Sequence, residues 1–150
     1  MAAAKPKFIL LKNCLAVARG SAGSNAFRKL YYKIGGREID VLRDGDLSCA
    51  VFVSFILKIF SLIPEIHTTV KATEADLGRA GWREIKQPRP GAIVFYGPKT
   101  FKSGETHRHI GIYLGSGRAI SNSSKNRSPK IHKWNYRPVE KILFHKRLYA

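Results

Sequence analysis

The chain has 150 residues, 44% of them hydrophobic, which suggests one domain able to bury a core without disulfide bonds or structural metal sites. Its 27 lysines and arginines against 10 acidic residues give a net charge of +17. Such a field attracts polyanions (nucleic acid, anionic lipid or an acidic cell-wall polymer) without choosing among them. Two cysteines, Cys14 and Cys49, exclude a disulfide framework and a cysteine-rich metal site. A reducing compartment is the simpler assumption.

The first 37 residues carry no acidic side chain, and residues 8–18 repeat apolar side chains at helical spacing before Gly20. We therefore expect a basic, helical N-terminal segment over residues 1–37. Lys12 and Asn13 interrupt the apolar middle that a signal peptide would need. No stretch reaches the ~18 unbroken apolar residues of a transmembrane segment. The localisation stays open: cytoplasmic by default, or the cell envelope if the chain is exported by another route.

Three patterns follow before the sequence changes to short strands. Residues 29–42 place two glycines between short apolar pieces, which is typical of a hairpin or of the end of a helix. Asp46 precedes a nearly continuous apolar run that Pro64 closes, which predicts a buried helix with Asp46 as its N-cap. A second helix is predicted from about Thr69 to Ala80, with Gly81 just after it.

From Trp82 onwards the sequence alternates short apolar runs with turn residues. "AIVFY", "HIGIYL" and "RAIS" are predicted strands, with "GSG" as a tight turn between the last two. Further strands are predicted at "IHKW" and "KILFHKRLY", whereas residues 97–108 and 122–130 are predicted as polar loops. We expect one α+β domain over residues 1–150, with a buried helix packed on an antiparallel sheet. Its motif-bearing core covers about residues 44–124.

The cysteine of the buried helix is a candidate nucleophile. With Asp46 at the N-cap, Cys49 falls at the third helical position, where the helix dipole and free N–H groups stabilise a thiolate. Both effects predict a thiol pKa below its free value of ~8.5. Cysteines are also common core residues. The position alone leaves nucleophile and core filler equally open.

A nucleophilic thiol needs a base and a group that orients the base. His109 begins a predicted strand, and Gly111 leaves room there for close backbone approach. The turn then returns the chain past His109. A two-residue turn brings Asn122 to the face of His109, and a three-residue turn brings Ser121 there. Asn122 is preferred as the orienting residue because its amide oxygen accepts from an imidazole N–H. No metal site is expected, since two nearby histidines and a cysteine are too few ligands.

Three stretches together resemble the NlpC/P60 cysteine peptidases, small papain-like domains that cut peptidoglycan stem peptides. "LSCAVFVSFIL" stands where the family has Asp-Cys-Ser-Gly-Phe-Val at a helix start. "RPGAIVFY" stands where it has Pro-Gly-Asp-Leu-Val-Phe-Phe. "HRHIGIYLGSGRAIS" stands where it has His-Val-Gly-Ile-Tyr-Ile-Gly and a returning strand that ends in a polar residue. Order and spacing agree over about residues 44–124.

The resemblance implies a thiol hydrolase with Cys49 as nucleophile and His109 as base, and it needs no cofactor. The family's third residue falls on Ser121 by counting, with Asn122 beside it. Ser48 stands where the family has an Asp that helps hold the free amine of the stem peptide, so the resemblance implies a substrate-binding position at Ser48 and a chain that diverges around its cysteine.

Two further partner expectations come from charge. Lys125, in the basic loop after the site, is expected to attract substrate carboxylates. The alternative function is an inactive basic module that binds nucleic acid or an anionic cell-envelope polymer. The oligomeric state is left open.

Overall fold

The structure, a computed structural model, describes residues 2–150 and has the predicted α+β class. Three helices accompany a six-stranded antiparallel sheet of order β3-β8-β4-β5-β6-β7 and a separate hairpin, β1-β2. The elements are α1 (Leu10–Gly20), β1 (Tyr31–Ile34), β2 (Arg37–Asp40), α2 (Cys49–Ile59), α3 (Val70–Arg79), β3 (Arg83–Ile85), β4 (Ile93–Thr100), β5 (Thr106–Gly115), β6 (Arg118–Ser123), β7 (Ser128–Lys133), β8 (Val139–Phe144) and a final 3₁₀ helix (Lys146–Tyr149).

Both predicted polar loops are shorter than expected, and that prediction was wrong. Most of residues 97–108 extends β4 and β5, with Thr100 opposite Thr106. In residues 122–130, β6 continues to Ser123 and β7 begins at Ser128. Cross-strand pairing satisfies the backbone of these segments although their side chains are polar. The open choice at residues 29–42 is resolved as a hairpin.

The start of α2 also differs from the prediction. The N-cap residue is Ser48, without a side-chain capping bond, and the helix begins at Cys49. Asp46 is exposed in a series of turns that includes Asp44 at a φ of 53°. The residues after Asp46 that were expected to begin the helix therefore belong to these turns. Cys49 is therefore the first helical residue rather than the third.

The end of α2 is set by backbone geometry, not by Pro64 as predicted. Ser61 adopts a positive φ of 55°. Its N–H bonds to the carbonyl of Lys58, and that of Leu62 bonds to the carbonyl of Leu57. This pattern is a Schellman motif, which satisfies the last carbonyls of a helix.

The apolar face of α2 packs on the sheet and fixes the position of Cys49. Phe52, Val53 and Leu57 are fully buried. The helix contacts both β5 and β6. Trp82 closes the far end of the same core, and its indole N–H donates to the carbonyl of Leu62 at 2.8 Å. The first turn of α2 is therefore held against the strands that follow.

Gly111 allows β5 and β6 to approach closely beside the site. A Cβ added at this position would lie 2.9 Å from the backbone oxygen of Ile120 and 3.1 Å from the Cβ of Ser121. Real Cβ atoms do not come so near a backbone oxygen, so any side chain here must push the two strands apart.

Gly111→Ala is therefore expected to destabilise the fold by about 1–3 kcal/mol, the usual cost of overpacking. Gly78→Ala is the matched control, because Gly78 is in α3 with nothing within 4 Å of its added Cβ. There alanine should stabilise by about 0.5–1 kcal/mol. Urea denaturation of both variants measures the difference. If Gly111→Ala and Gly78→Ala changed the free energy of unfolding equally and in the same direction, the close approach of β5 and β6 at Gly111 would be contradicted.

Candidate active site

Cys49 borders a groove at the start of α2. Its side chain is half-buried, whereas that of Cys14 is 1% exposed. The backbone N–H groups of Ala50, Ile110 and Cys49 itself lie near the sulfur and act to lower the pKa of the thiol. Ile110 belongs to β5, so the thiol lies against the strand that carries His109.

The resting thiol is not a thiolate, contrary to the expectation from its helical position. Burial raises the pKa of Cys49 to about 11, although the three N–H groups and the charge of Arg137 act in the opposite direction. Desolvation of the charged sulfur outweighs the helix N-terminus. Burial also raises the pKa of Cys14 to about 11. The two thiols therefore differ in access and surroundings, not in acidity.

His109 lines the same groove as Cys49. Burial lowers the pKa of His109 to about 3, with smaller contributions from Arg137 and His132. Within residues 2–150 its imidazole makes no hydrogen bond, which leaves both ring nitrogens available. A neutral imidazole in the same groove as a protonated thiol has a free ring nitrogen that can accept the thiol proton.

The register of β5 and β6 places Ser121 on the face of His109. The turn between them has two residues, Ser116 and Gly117, but a bulge between Tyr113 and Gly115 adds one residue to β5. Ser121 consequently lies beside Gly111. Because side chains alternate along a strand, His109 shares this face.

Asn122, the preferred third residue, lies on the opposite face of β6 from Ser121. Its side-chain N–H donates to the carbonyl of Gly45 at 2.8 Å. It is 3% exposed, and its Oδ1 has no partner within the described chain. The amide thus braces the turn that precedes Cys49.

The two residues predicted to bind substrate are placed differently. Ser48 is fully buried, and its hydroxyl has no partner among residues 2–150. It is not among the residues that line the groove, whereas exposed Lys125 is. The geometry therefore favours Lys125 over Ser48 as a substrate contact.

His132 is a groove residue that the sequence analysis did not select. It lies on β7, and its Nε2 is 2.6 Å from the hydroxyl of Ser121. Its ring also packs against Tyr136, with 4.4 Å between ring centroids. The spacing of Lys130 and His132, two residues apart, could have indicated that both side chains lie on one face of a strand. It points to the site only once that strand is known to pair with β6.

The groove has a volume of about 760 Å³ and a basic lining. Its only acidic lining residues within residues 2–150 are Asp46 and Glu105. Its basic residues are Arg43, Lys71, Lys99, Arg108, Lys125, Lys130 and Arg137. Arg43 and Arg108 form ion pairs with carboxylates, whereas the four lysines form none within the described residues. The described chain has no group of three or more potential metal-ligating side chains, and none of its helices has the length and apolarity to cross a bilayer.

These features define a papain-like α+β domain with a cysteine at a helix start beside a histidine on a sheet. A model of the NlpC/P60 family matches residues 29–148. The chain belongs to the NlpC/P60 family, whose members are generally cysteine peptidases or amidases that act on peptidoglycan. The predicted family membership is thereby confirmed.

Two solved structures share the fold. NlpC2 from Trichomonas vaginalis is 17% identical with a TM-score of 0.55, over 92% of this chain and 48% of that one. NlpC1 from the same organism is 16% identical with a TM-score of 0.53, over 95% of this chain and 47% of that one. This chain thus spans about half the length of each. No curated protein matches it.

Proposed function

We propose that this chain is a thiol hydrolase that cleaves a peptide or amide bond, with peptidoglycan stem peptides as its leading substrate. The observation that carries the proposal is the shared groove of Cys49 and His109. The sulfur lies near the backbone N–H of Ile110, the residue next to His109 on β5. A thiol and an imidazole in one groove are the minimum for acyl transfer.

The proposed reaction begins with transfer of the Cys49 proton to His109 as the sulfur attacks the substrate carbonyl. The backbone N–H of Cys49 is the proposed donor to the developing oxyanion, because N–H groups of a first helical turn have no intrahelical partner. The C–N bond then breaks, and His109 returns the proton to the leaving amine. Water hydrolyses the thioester with His109 again accepting a proton, which restores the thiol.

The third position of the site is assigned to Ser121, because it shares the face of His109. Asn122 instead holds the turn at Gly45. Both line the groove but lie on opposite faces of β6, so their roles are separable: loss of Asn122 should lower stability, and loss of Ser121 should lower activity.

The basic groove supports a substrate that carries carboxylates, as stem peptides do. We expect Lys125→Glu to raise the KM for such a peptide about threefold at low salt, because a charge at the groove is reversed. Lys86→Glu makes the same change in net charge at an exposed site outside the groove lining. Steady-state kinetics at low and high salt measure both. Equal effects from the two variants would contradict a substrate contact at Lys125.

The function is tested by incubating the protein with muropeptides from digested peptidoglycan and with a panel of synthetic amides. Mass spectrometry should show two fragments whose masses sum to that of the substrate plus one water, with none from Cys49→Ala. Salt-sensitive binding of DNA, RNA or wall polymer by both proteins, without cleavage by either, would overturn the proposal in favour of a basic binding module.

A further inference from the structure

We infer that His132 is a positioning residue of this site and acts on His109 through the hydroxyl of Ser121. The inference rests on the proposed function, because it assigns a hydrogen-bond partner to His109 in its role as the general base. In this arrangement His109 is oriented by two side chains on neighbouring strands, Ser121 on β6 and His132 on β7, rather than by a single polar residue on β6.

The protonation of His132 follows from its two hydrogen bonds. Its Nδ1 is 2.8 Å from the carbonyl oxygen of Lys133, which can only accept, so Nδ1 carries the proton. Burial lowers the pKa of His132, with further lowering by the charges of Lys130 and Arg118 against the effect of the Lys133 carbonyl. The ring is therefore neutral at about pH 7, and its Nε2 is a bare acceptor.

The tautomer of His132 sets the direction of the Ser121 hydroxyl. Its proton must point to Nε2, across the 2.6 Å contact. The oxygen lone pairs are then left for another donor. His109 shares this face of the sheet with Ser121 and has no other side-chain partner within residues 2–150, so the inference assigns one of its N–H groups as that donor. A histidine ring held at one nitrogen presents the other to the thiol in a fixed orientation, as the triad logic requires.

The surroundings hold His132 in place independently of Ser121. Its ring packs edge-on against Tyr136, and it is 6.2 Å from the ring of Tyr96. Tyr96 itself packs on His109, with 5.7 Å between centroids. A phenylalanine at position 132 keeps these aromatic contacts and removes the acceptor toward Ser121 together with the Nδ1–H that donates to the Lys133 carbonyl. A glutamine keeps an acceptor and loses the ring.

The test uses the rate at which iodoacetamide alkylates Cys49 at about pH 7, which requires no substrate. His132→Phe and Ser121→Ala should each lower this rate about tenfold, the effect of one lost hydrogen bond. The double variant should lose no more than either single variant, because both act in one chain of contacts. His132→Gln should retain the rate within about threefold. Thermal melting verifies that each variant is folded.

A second readout is the tautomer of His132 in the folded protein. Two-bond ¹H–¹⁵N correlation spectra, assigned by comparison with His132→Gln, should show a neutral ring protonated at Nδ1. A ring protonated at Nε2 would overturn the inference, because that nitrogen could not accept from Ser121.

The failures of inference and function are distinguishable. If His109→Ala slows alkylation but His132→Phe does not, the inference is wrong and the Cys49–His109 pair stands. If His109→Ala leaves alkylation unchanged, the proposed function fails and the inference fails with it. Additive losses in the double variant also overturn the inference, since they indicate two independent structural effects.

Discussion

Cys49→Ala is expected to abolish hydrolysis and leave the fold intact. Without the sulfur no thioester can form, and loss of the nucleophile in an acyl-transfer site typically costs at least about 10⁴-fold in rate. The side chain is half-buried at the groove, so its removal leaves little cavity. Initial rates of fragment release measure the first effect, and thermal melting measures the second.

Cys14→Ala is the matched control for this variant. It makes the same chemical change at a thiol that is 1% exposed in the core. Here the expected result is reversed. The rate of hydrolysis is unchanged, and the free energy of unfolding falls by about 1 kcal/mol because a cavity is left in the core. Turnover by Cys49→Ala, or loss of turnover in Cys14→Ala alone, would contradict the assignment of Cys49.

His109→Ala is expected to lower kcat/KM about 10³-fold and to change its dependence on pH. The active form shares one proton between Cys49 and His109. Burial raises the pKa of Cys49 to about 11 and lowers that of His109 to about 3. As pH falls through the His109 pKa, a second proton blocks the base. As pH rises through the Cys49 pKa, no proton remains for the leaving amine.

The wild-type profile should therefore be flat between about pH 5 and pH 9. In His109→Ala only free thiolate reacts, so the residual rate should rise about tenfold per pH unit over that range. His107→Ala is the control: this partly exposed histidine, whose Nε2 is 3.1 Å from the Glu105 carboxylate, should leave the flat profile in place. A wild-type acid limb near the ordinary histidine value of about 6.5 would contradict a desolvated His109.

Local patterns were enough to predict the fold class and to select Cys49 and His109 as candidates, whereas their roles as nucleophile and base came from the resemblance to the family. The apolar run after residue 48 and the strand "HIGIYL" are both signals that need no distant partner. Asp46 was wrong as a cap because residues 41–47 form turns and the helix begins only after Ser48. No residue pattern distinguishes a capping aspartate from one in such turns.

The rest of the site depended on features that the sequence does not display. The choice between Ser121 and Asn122 depended on one bulged residue in β5. His132 could not be selected because its partner is set by the pairing of β6 with β7. The predicted direction of the Cys49 pKa shift was wrong because burial, a property of the packed fold, raises the pKa by more than the helix N-terminus lowers it.

The central claim is that His109 activates Cys49, and the two cysteines of this chain test it most directly. The measurement is the rate of iodoacetamide labelling of Cys49 and Cys14 in the folded protein at about pH 7, with and without His109→Ala. Because both thiols have a raised pKa of about 11, acidity cannot explain a difference between them. We predict that Cys49 reacts much faster than Cys14 and that His109→Ala removes most of this advantage. Equal labelling of the two thiols, or a Cys49 rate indifferent to His109, would contradict the account.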